Sequence, residues 1–564
     1  MTKSIRIPAL FYTTAIAAVI LGCLAPSARA ADDEPSPAEA VARIKEQGLT
    51  SNSQAMATLS YLSDVIGERL TGSPSLKRAN EWTKTKLQGW GLVNAHLEPW
   101  GPFGRGWELK RFSAQIVEPQ VFPLIAYPQA WSPGLKRALK ADVVYLGGVN
   151  TSNLESYKGK LGGDIVLISA THEVRPNVDP LFERQSESNL THLAETTGDT
   201  SLYRNRGGGA NRFGRNNNSS RMRPARLLDF LQKEKVGLVV SESSQGEGGT
   251  VFVQSATVPS ASANVSFTNR GGPSAYALNA PAMPPQITLA AEDYNRLARM
   301  LQQGVKLKMA VDFKAKYYID DPMAYNTIAE IPGSDLKDQI VMLGGHMDSW
   351  QAGTGATDNG AGVAAAMEAV RIIEAARLHP RRTIRIALWS GEEEGLLGSR
   401  AYVSNHFGYY TGGPAGRRRG SEGETNRPPR KFAPGPEFDN LSAYFNLDNG
   451  AGKIRGIYMQ GDKAARPLFV KWMEPFHSEG AETVTLANTG STDHISFDSV
   501  GLPGFQFIQD QLDYMTRSHH SNEDVFDRIQ EADLKQAATV MAAFVYAAAM
   551  TDEKIPRKPP SSED

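Results

Sequence analysis

The sequence predicts an α/β protein: a mixed, mostly parallel sheet sandwiched by helices, interrupted by an inserted β-rich unit. Three observations predict it. Over the last third of the chain, strand-like apolar runs alternate with amphipathic helical runs, the pattern of a parallel sheet with crossover helices. Between about Val117 and Ala310 the pattern changes to short β-like runs. The chain has 564 residues, well past the ~250–300 at which a single hydrophobic core stops growing.

The elements follow in order. Residues 1–30 carry a basic start (Lys3, Arg6), an apolar run over 9–24 and the small-residue stop Ala28-Arg29-Ala30, the layout of a secretory signal peptide. This puts the mature chain in a secreted or periplasmic setting, with a lipoprotein anchored at Cys23 as the minor alternative. Ser36-Pro37-Ala38-Glu39 supplies a cap, a first-turn proline and a box glutamate ahead of a helix over 40–47. Helices over about 53–66 and 75–89 flank the turn Thr71-Gly72-Ser73-Pro74. Residues 31–120 thus form the first part of the main domain.

The inserted unit is expected over 121–310, with strands at 143–146, 165–168 and 236–240. Within it, 204–226 carries seven arginines among Gly, Asn and Ser. Nearly devoid of aromatics for base stacking, this stretch reads as a solvated insertion over about 184–226 rather than a polyanion site. The main domain resumes over 311–555. Strands are expected at 340–343, 383–389, 444–447 and 505–508, and helices at 360–376 and 534–550. A Gly/Pro/Arg-rich loop over about 410–437 and a tail over 556–564 complete the chain.

Composition narrows the function. Lys+Arg number 60 and Asp+Glu 61, a net charge of −1, which argues against a general nucleic-acid binder and favours small or peptidic partners. Cys23 is the single cysteine and lies in the leader, so the folded body has no disulfide and no thiolate metal site. A metal would need His, Asp and Glu. No later segment reaches ~20 uninterrupted apolar residues, so no stable membrane insertion is expected once the leader is removed.

Ligands bind beyond the carboxyl ends of strands in open α/β sheets. Those ends read Gly344-Gly345-His346-Met347-Asp348, Gly391-Glu392-Glu393-Glu394-Gly395 and Asp448-Asn449-Gly450. A Gly-rich loop then leads to Asp358 at the start of a helix, and the last strand is followed by Ser518-His519-His520-Ser521-Asn522-Glu523-Asp524. Singly, each has a structural explanation; Asp358 alone would be a helix cap. Together they make a histidine and carboxylate set suited to two divalent ions sharing a carboxylate bridge. Hydrolysis at such a site also needs a carboxylate base that is not a ligand, and adjacent Glu392 and Glu393 can point different ways.

At these residues the chain resembles the di-zinc exopeptidases of the aminopeptidase type, clan MH, and most closely their carboxypeptidase Q (plasma glutamate carboxypeptidase) branch. The matching runs are Gly344 to Trp350, Gly355 to Gly362, Trp389 to Gly395 and His519 to Asp524. The resemblance implies the zinc exopeptidase fold with an inserted protease-associated domain over 121–310. It implies two zinc ions per chain. Asp358 would bridge them, with His346 and Asp448 on one and Glu393 and His520 on the other. Glu392 would be the general base and Asp348 the support of His346. The Asp358-Asn359 peptide is expected to be cis, and Asp493 and His494 are candidate substrate contacts. The implied activity is a secreted metallo-exopeptidase acting on dipeptides or peptide N-termini, with a homodimer left open. Rival readings are a one-zinc glutaminyl cyclase-like acyltransferase and a non-catalytic receptor or binding protein on the same fold.

Overall fold

The computed structural model describes residues 34–149, 151–199, 224–243, 245–260, 274–411 and 431–558. The leader with Cys23, most of the arginine-rich stretch, residues 412–430 and residues 559–564 lie outside them. Two large sheets organise the rest. The nine-stranded sheet runs Val93–Trp100, Ala324–Ile331, Arg382–Trp389, Leu336–His346, Leu441–Asn446, Gly504–Gln509, Ile454–Tyr458, Thr483–Asn488 and Thr197–Asp199. Its central strands, from Arg382–Trp389 to Gly504–Gln509, are parallel. The pairings of Val93–Trp100, Ala324–Ile331 and Arg382–Trp389 are antiparallel.

Helices cover both faces of the centre, so its strands are buried along nearly their whole length, as parallel strands require. Leu441–Asn446 and Gly504–Gln509 have no exposed residue. On one face, Ala361–Ala375 packs against Glu531–Met550, and their Ala364, Ala365, Ala369, Ala538 and Ala542 have no exposed surface. Their small side chains let the helices approach closely. Trp389, Tyr402, Phe407, Tyr444 and Phe497 fill the other face, against Leu397–His406 and His494–Asp498. The first helix, Pro37–Gly48, starts as its sequence predicts: Ser36 Oγ accepts from Glu39 N while Ser36 N donates to the Glu39 carboxylate.

The eight-stranded sheet runs Phe122–Pro123, Gly106–Glu118, Lys308–Tyr318, Leu139–Tyr145, Ile165–Leu167, Leu238–Glu242, Gln286–Leu289 and Ala126–Pro128. It reaches beyond the expected 121–310, because Gly106–Glu118 and Lys308–Tyr318 pair as a long antiparallel ribbon on both sides of that segment. In Lys308–Tyr318 the buried Met309, Val311 and Phe313 alternate with more exposed, mostly charged residues, the period-2 pattern of a half-buried strand. Several of the shorter strands are parallel, and helices such as Ala291–Gln302 accompany them. The unit is therefore α/β in character rather than purely β-rich.

The stretches expected as a solvated insertion over 184–226 and as a loop over 410–437 are packed at their ends. Residues 184–199 form the helix Glu187–Glu195 and the strand Thr197–Asp199 on the edge of the first sheet. Arg184 pins them, donating to Asp510 at 2.8 Å and Asp533 at 2.7 Å. The 410–437 loop begins and ends as a hairpin of Gly408–Thr411 with Lys431–Pro434, after which Glu437 pairs with Arg385 and His406. The described part of the tail is likewise tied down: Lys558 pairs with Asp498, and Arg557 donates to the Phe438 carbonyl.

Candidate metal centre

The parallel strands deliver the site at their carboxyl ends. His346 is the last residue of Leu336–His346, and its Nδ1 donates to the carbonyl of Asp348 at 3.0 Å. That bond leaves Nε2 directed at two carboxylates, Asp358 Oδ1 at 3.3 Å and Asp448 Oδ1 at 3.5 Å. The expected support of His346 by Asp348 thus comes through the main-chain carbonyl, since the carboxylate stands at 3.6 Å. That carboxylate instead accepts from Thr71 Oγ1 and from Glu393 N, each at 3.2 Å.

Asp358 is not a helix cap. The helix begins at Ala361 with no side-chain cap, and Gly362 N donates to Asn359 Oδ1. Asn359 Nδ2 donates to the carbonyl of Leu447, next to Asp448, so one amide ties the Asp358 and Asp448 loops together. Their approach leaves no room for a side chain at Gly362, where a Cβ would lie 2.2 Å from the Leu447 carbonyl oxygen. The Asp358-Asn359 peptide is cis.

The other oxygen of Asp358, Oδ2, is 3.3 Å from His520 Nε2, and Glu393 Oε2 is 3.0 Å from that same nitrogen. His519 stacks on His520 with ring centroids 3.6 Å apart and places its Nε2 at 3.8 Å from Asp358 Oδ2. Glu393 Oε2 also accepts from the Trp350 indole at 2.7 Å. Glu392 is partly buried on the same strand exit.

The electrostatics follow from crowding acids and imidazoles in a dry place. Burial raises the Glu392 carboxyl well above the usual carboxylate range; the His346 charge opposes this, and Asp448, Glu393 and Asp493 reinforce it. Burial and the Asp358 charge likewise raise Glu393, against the pull of His520. Burial alone would lower His520, but Glu393 and Asp358 hold it up at about 10. Asp358 is itself desolvated, yet the His346 and His520 imidazoles beside it keep its carboxyl well below the ordinary range.

The donor set fits metal. Two groups, His346/Asp358/Asp448 and Asp358/His519/His520, each bring their ligand atoms within 4.8 Å of one another and share Asp358. Glu393 Oε1 and Asp358 Oδ2 are buried without a hydrogen-bond partner, which is costly unless a cation satisfies them. The second group contains His519 where the resemblance implies Glu393. Glu393 nevertheless stands beside His520 through Oε2 and keeps Oε1 without a hydrogen-bond partner.

The remaining candidates lie elsewhere. Asp493 and His494 are fully buried. His494 opens the helix His494–Asp498 and bonds through Nε2 to the Thr489 carbonyl at 3.1 Å. Burial lowers its pKa to about 4. Asp493 sits behind the cluster near His346, Asp448 and Asp348, its carboxyl pushed up to about 7 by burial.

Sequence reasoning missed Arg69. This fully buried side chain donates to the carbonyls of Met347, Thr354 and Gly355 at 2.7–2.8 Å, bracketing the loop that leads to Asp358. Asp524 was visible only as part of a motif. Its Oδ1 accepts from Thr357 N at 2.5 Å and Thr357 Oγ1 at 2.8 Å, fixing the residue before Asp358. Nothing local in the sequence marks Arg69 for this role, since its partners lie about 280 residues away.

Comparison with known proteins agrees with this picture. Residues 326–545 match the model of peptidase family M28. Carboxypeptidase Q of Pongo abelii is 25% identical over 522 residues, covering 92% of this chain and 90% of that protein. The solved structure of a peptidase M28 precursor from Shewanella amazonensis SB2B superposes with a TM-score of 0.61 at 22% identity, covering 93% of this chain and 99% of that one. A zinc aminopeptidase from Bacillus subtilis gives a TM-score of 0.50 at 18% identity, covering 89% and 96%. The class that fold, site and relatives define is a hydrolase of peptide bonds. Within that class the chain is similar to peptidase family M28 over residues 326–545 and to carboxypeptidase Q over nearly its whole length.

Proposed function

We propose that the chain is a secreted zinc-dependent exopeptidase that removes N-terminal residues from peptides or cleaves dipeptides. One observation carries the reading: a single buried carboxylate, Asp358, stands 3.3 Å from His346 through one oxygen and 3.3 Å from His520 through the other. This is the arrangement of a bridge between two cations. His346 and Asp448 would hold one zinc ion with Asp358, and Glu393 and His520 the other, with His519 beside them. Bound zinc would polarise the scissile carbonyl and lower the pKa of water near neutrality.

The chain's own residues do the rest. Glu392 accepts a proton from the attacking water and delivers it to the leaving amine; its raised pKa suits a group that must carry a proton near neutral pH. Asp348, through its carbonyl on His346 and its carboxylate on the Glu393 peptide, positions both ligand arms. Arg69 and Asp524 hold the loop that presents Asp358. The second sheet corresponds to the protease-associated unit that the resemblance implies. Secretion rests on the leader over 1–30, and among the described residues no helix is long and apolar enough to cross a membrane.

The test is a metal-depleted chain reconstituted with zinc and offered free dipeptides, N-blocked dipeptides and longer peptides. Zinc should restore hydrolysis, and blocking the N-terminus should abolish it. Hydrolysis that survives complete chelation, or equal cleavage of blocked and free substrates, overturns the reading.

A further inference from the structure

His520 is a proposed ligand whose geometry depends on a distant part of the chain. It adopts φ 61°, the left-handed region that costs a residue with a side chain of order ~1–3 kcal/mol unless its surroundings hold it there. The surroundings come from a strap of the second sheet. Val253 N donates to the His520 carbonyl at 3.0 Å, and Phe252 forms an antiparallel bridge with Ser521. Val251 N donates to Asn522 Oδ1 at 2.6 Å, and Asn522 N returns a bond to the Val251 carbonyl at 3.2 Å. The strap is anchored just past that sheet's strand Ala126–Pro128: Ala130 N donates to the Gln254 carbonyl at 3.0 Å, and Ala256 N to the Ala130 carbonyl at 2.8 Å.

At the end of this strap the Gln254 amide lies 2.8 Å from His520 Nδ1. A glutamine amide can be turned through 180°, exchanging its oxygen and nitrogen with almost no change of shape. With Oε1 facing the ring, Nδ1–H donates to it and the Nε2 lone pair is left for a cation between Glu393 and Asp358. His346 obtains the same orientation from the carbonyl of Asp348, two residues away in its own strand exit. His520 has no such local provision and takes it from a residue 266 positions distant.

We propose that Gln254 is a positioning residue for His520, so that the second sheet completes the metal centre instead of only covering it. The inference rests on the proposed role of His520 as a ligand. Partners of this kind fix the tautomer and ring orientation of a ligating histidine, and their loss typically costs ~10–100-fold in metal affinity or activity.

The experiment uses the full chain loaded with zinc and follows release of each ion to a chromogenic chelator. The variants are Gln254→Ala, Gln254→Glu and His520→Ala. Gln254 is exposed, so its truncation should leave the melting temperature of the metal-free chain unchanged. Gln254→Ala should speed the release of one zinc by ~10–100-fold and leave the other at the parent rate. Gln254→Glu, which can only accept from Nδ1–H, should restore slow release.

Parent-like release from Gln254→Ala while His520→Ala loses one zinc quickly overturns the inference and spares the proposed function. A His520→Ala chain that keeps both ions at the parent rate overturns the ligand role itself, and the inference with it. Equal acceleration of both ions with a lowered metal-free melting temperature would reduce Gln254 to a packing role and also overturns the inference.

Discussion

Replacing Glu392 with glutamine separates proton transfer from metal holding. The substitution keeps the shape of the side chain and removes its ability to take a proton from water. Positioned acid and base groups contribute ~10²–10⁴-fold, or about 2.7–5.4 kcal/mol at 1.36 kcal/mol per decade. The structure places the expected loss near the upper end, because neighbouring carboxylates are engaged. Glu393 Oε2 is taken by Trp350 and faces His520, and Asp448 faces His346. Stability should not fall. In the metal-free chain, burial and the nearby charges of Asp448, Glu393 and Asp493 already disfavour an ionised Glu392, so a neutral amide costs nothing there. The assay is kcat on a free dipeptide, with zinc content and melting temperature measured on the same preparation. Full zinc, an unchanged or higher melting temperature and a kcat reduced ~10³–10⁴-fold are expected. A variant that loses zinc, while Glu393→Gln keeps both zinc and activity, would refute the reasoning by exchanging the two glutamates.

Two further predictions concern stability. Burial would lower His406, but its bonds to Glu437 and Glu98 hold it up at about 9, above the ~6.5 of an unfolded histidine. Its stabilising contribution, about 3 kcal/mol, is therefore complete below pH 6.5 and lost as pH rises through 9. The urea-midpoint gap between parent and His406→Gln should shrink from pH 6 to pH 10, and a constant gap would contradict it. Arg69→Lys keeps the charge, but one ammonium cannot serve the Met347, Thr354 and Gly355 carbonyls as the planar fork does. Urea unfolding should show a loss of about 2–4 kcal/mol, and parent-like stability would remove Arg69 from the support of the Asp358 loop.

Legibility in the sequence followed the range of the interactions. The box Ser36/Glu39, the apolar runs of the central strands and the Ala-rich pattern of 360–376 are local signals, and each element forms within a few residues of where those signals place it. The histidines and acids at the strand tips were readable because parallel strands bring their carboxyl ends to one edge. Asp493 and His494 were candidates only through the resemblance, and their burial at a helix start carried no local signal in the sequence. The 184–199 segment misled by joining an arginine-rich stretch. Its order comes from Asp510 and Asp533, more than 300 residues later. Gln254 and Arg69 gave no signal, since an amide or a guanidinium acquires its meaning only from the partner that folding supplies.

The central claim is that Asp358 bridges two metal ions, and zinc content of Asp358→Asn beside His346→Ala tests it most directly. An amide brings one carbonyl oxygen and no charge, so it cannot neutralise and hold two cations. After mild chelation of purified protein, the account predicts close to no zinc in Asp358→Asn. It predicts an intermediate content in His346→Ala, where the ion beside Glu393 and His520 keeps its other ligands. Two tightly retained zinc ions in Asp358→Asn would contradict the account.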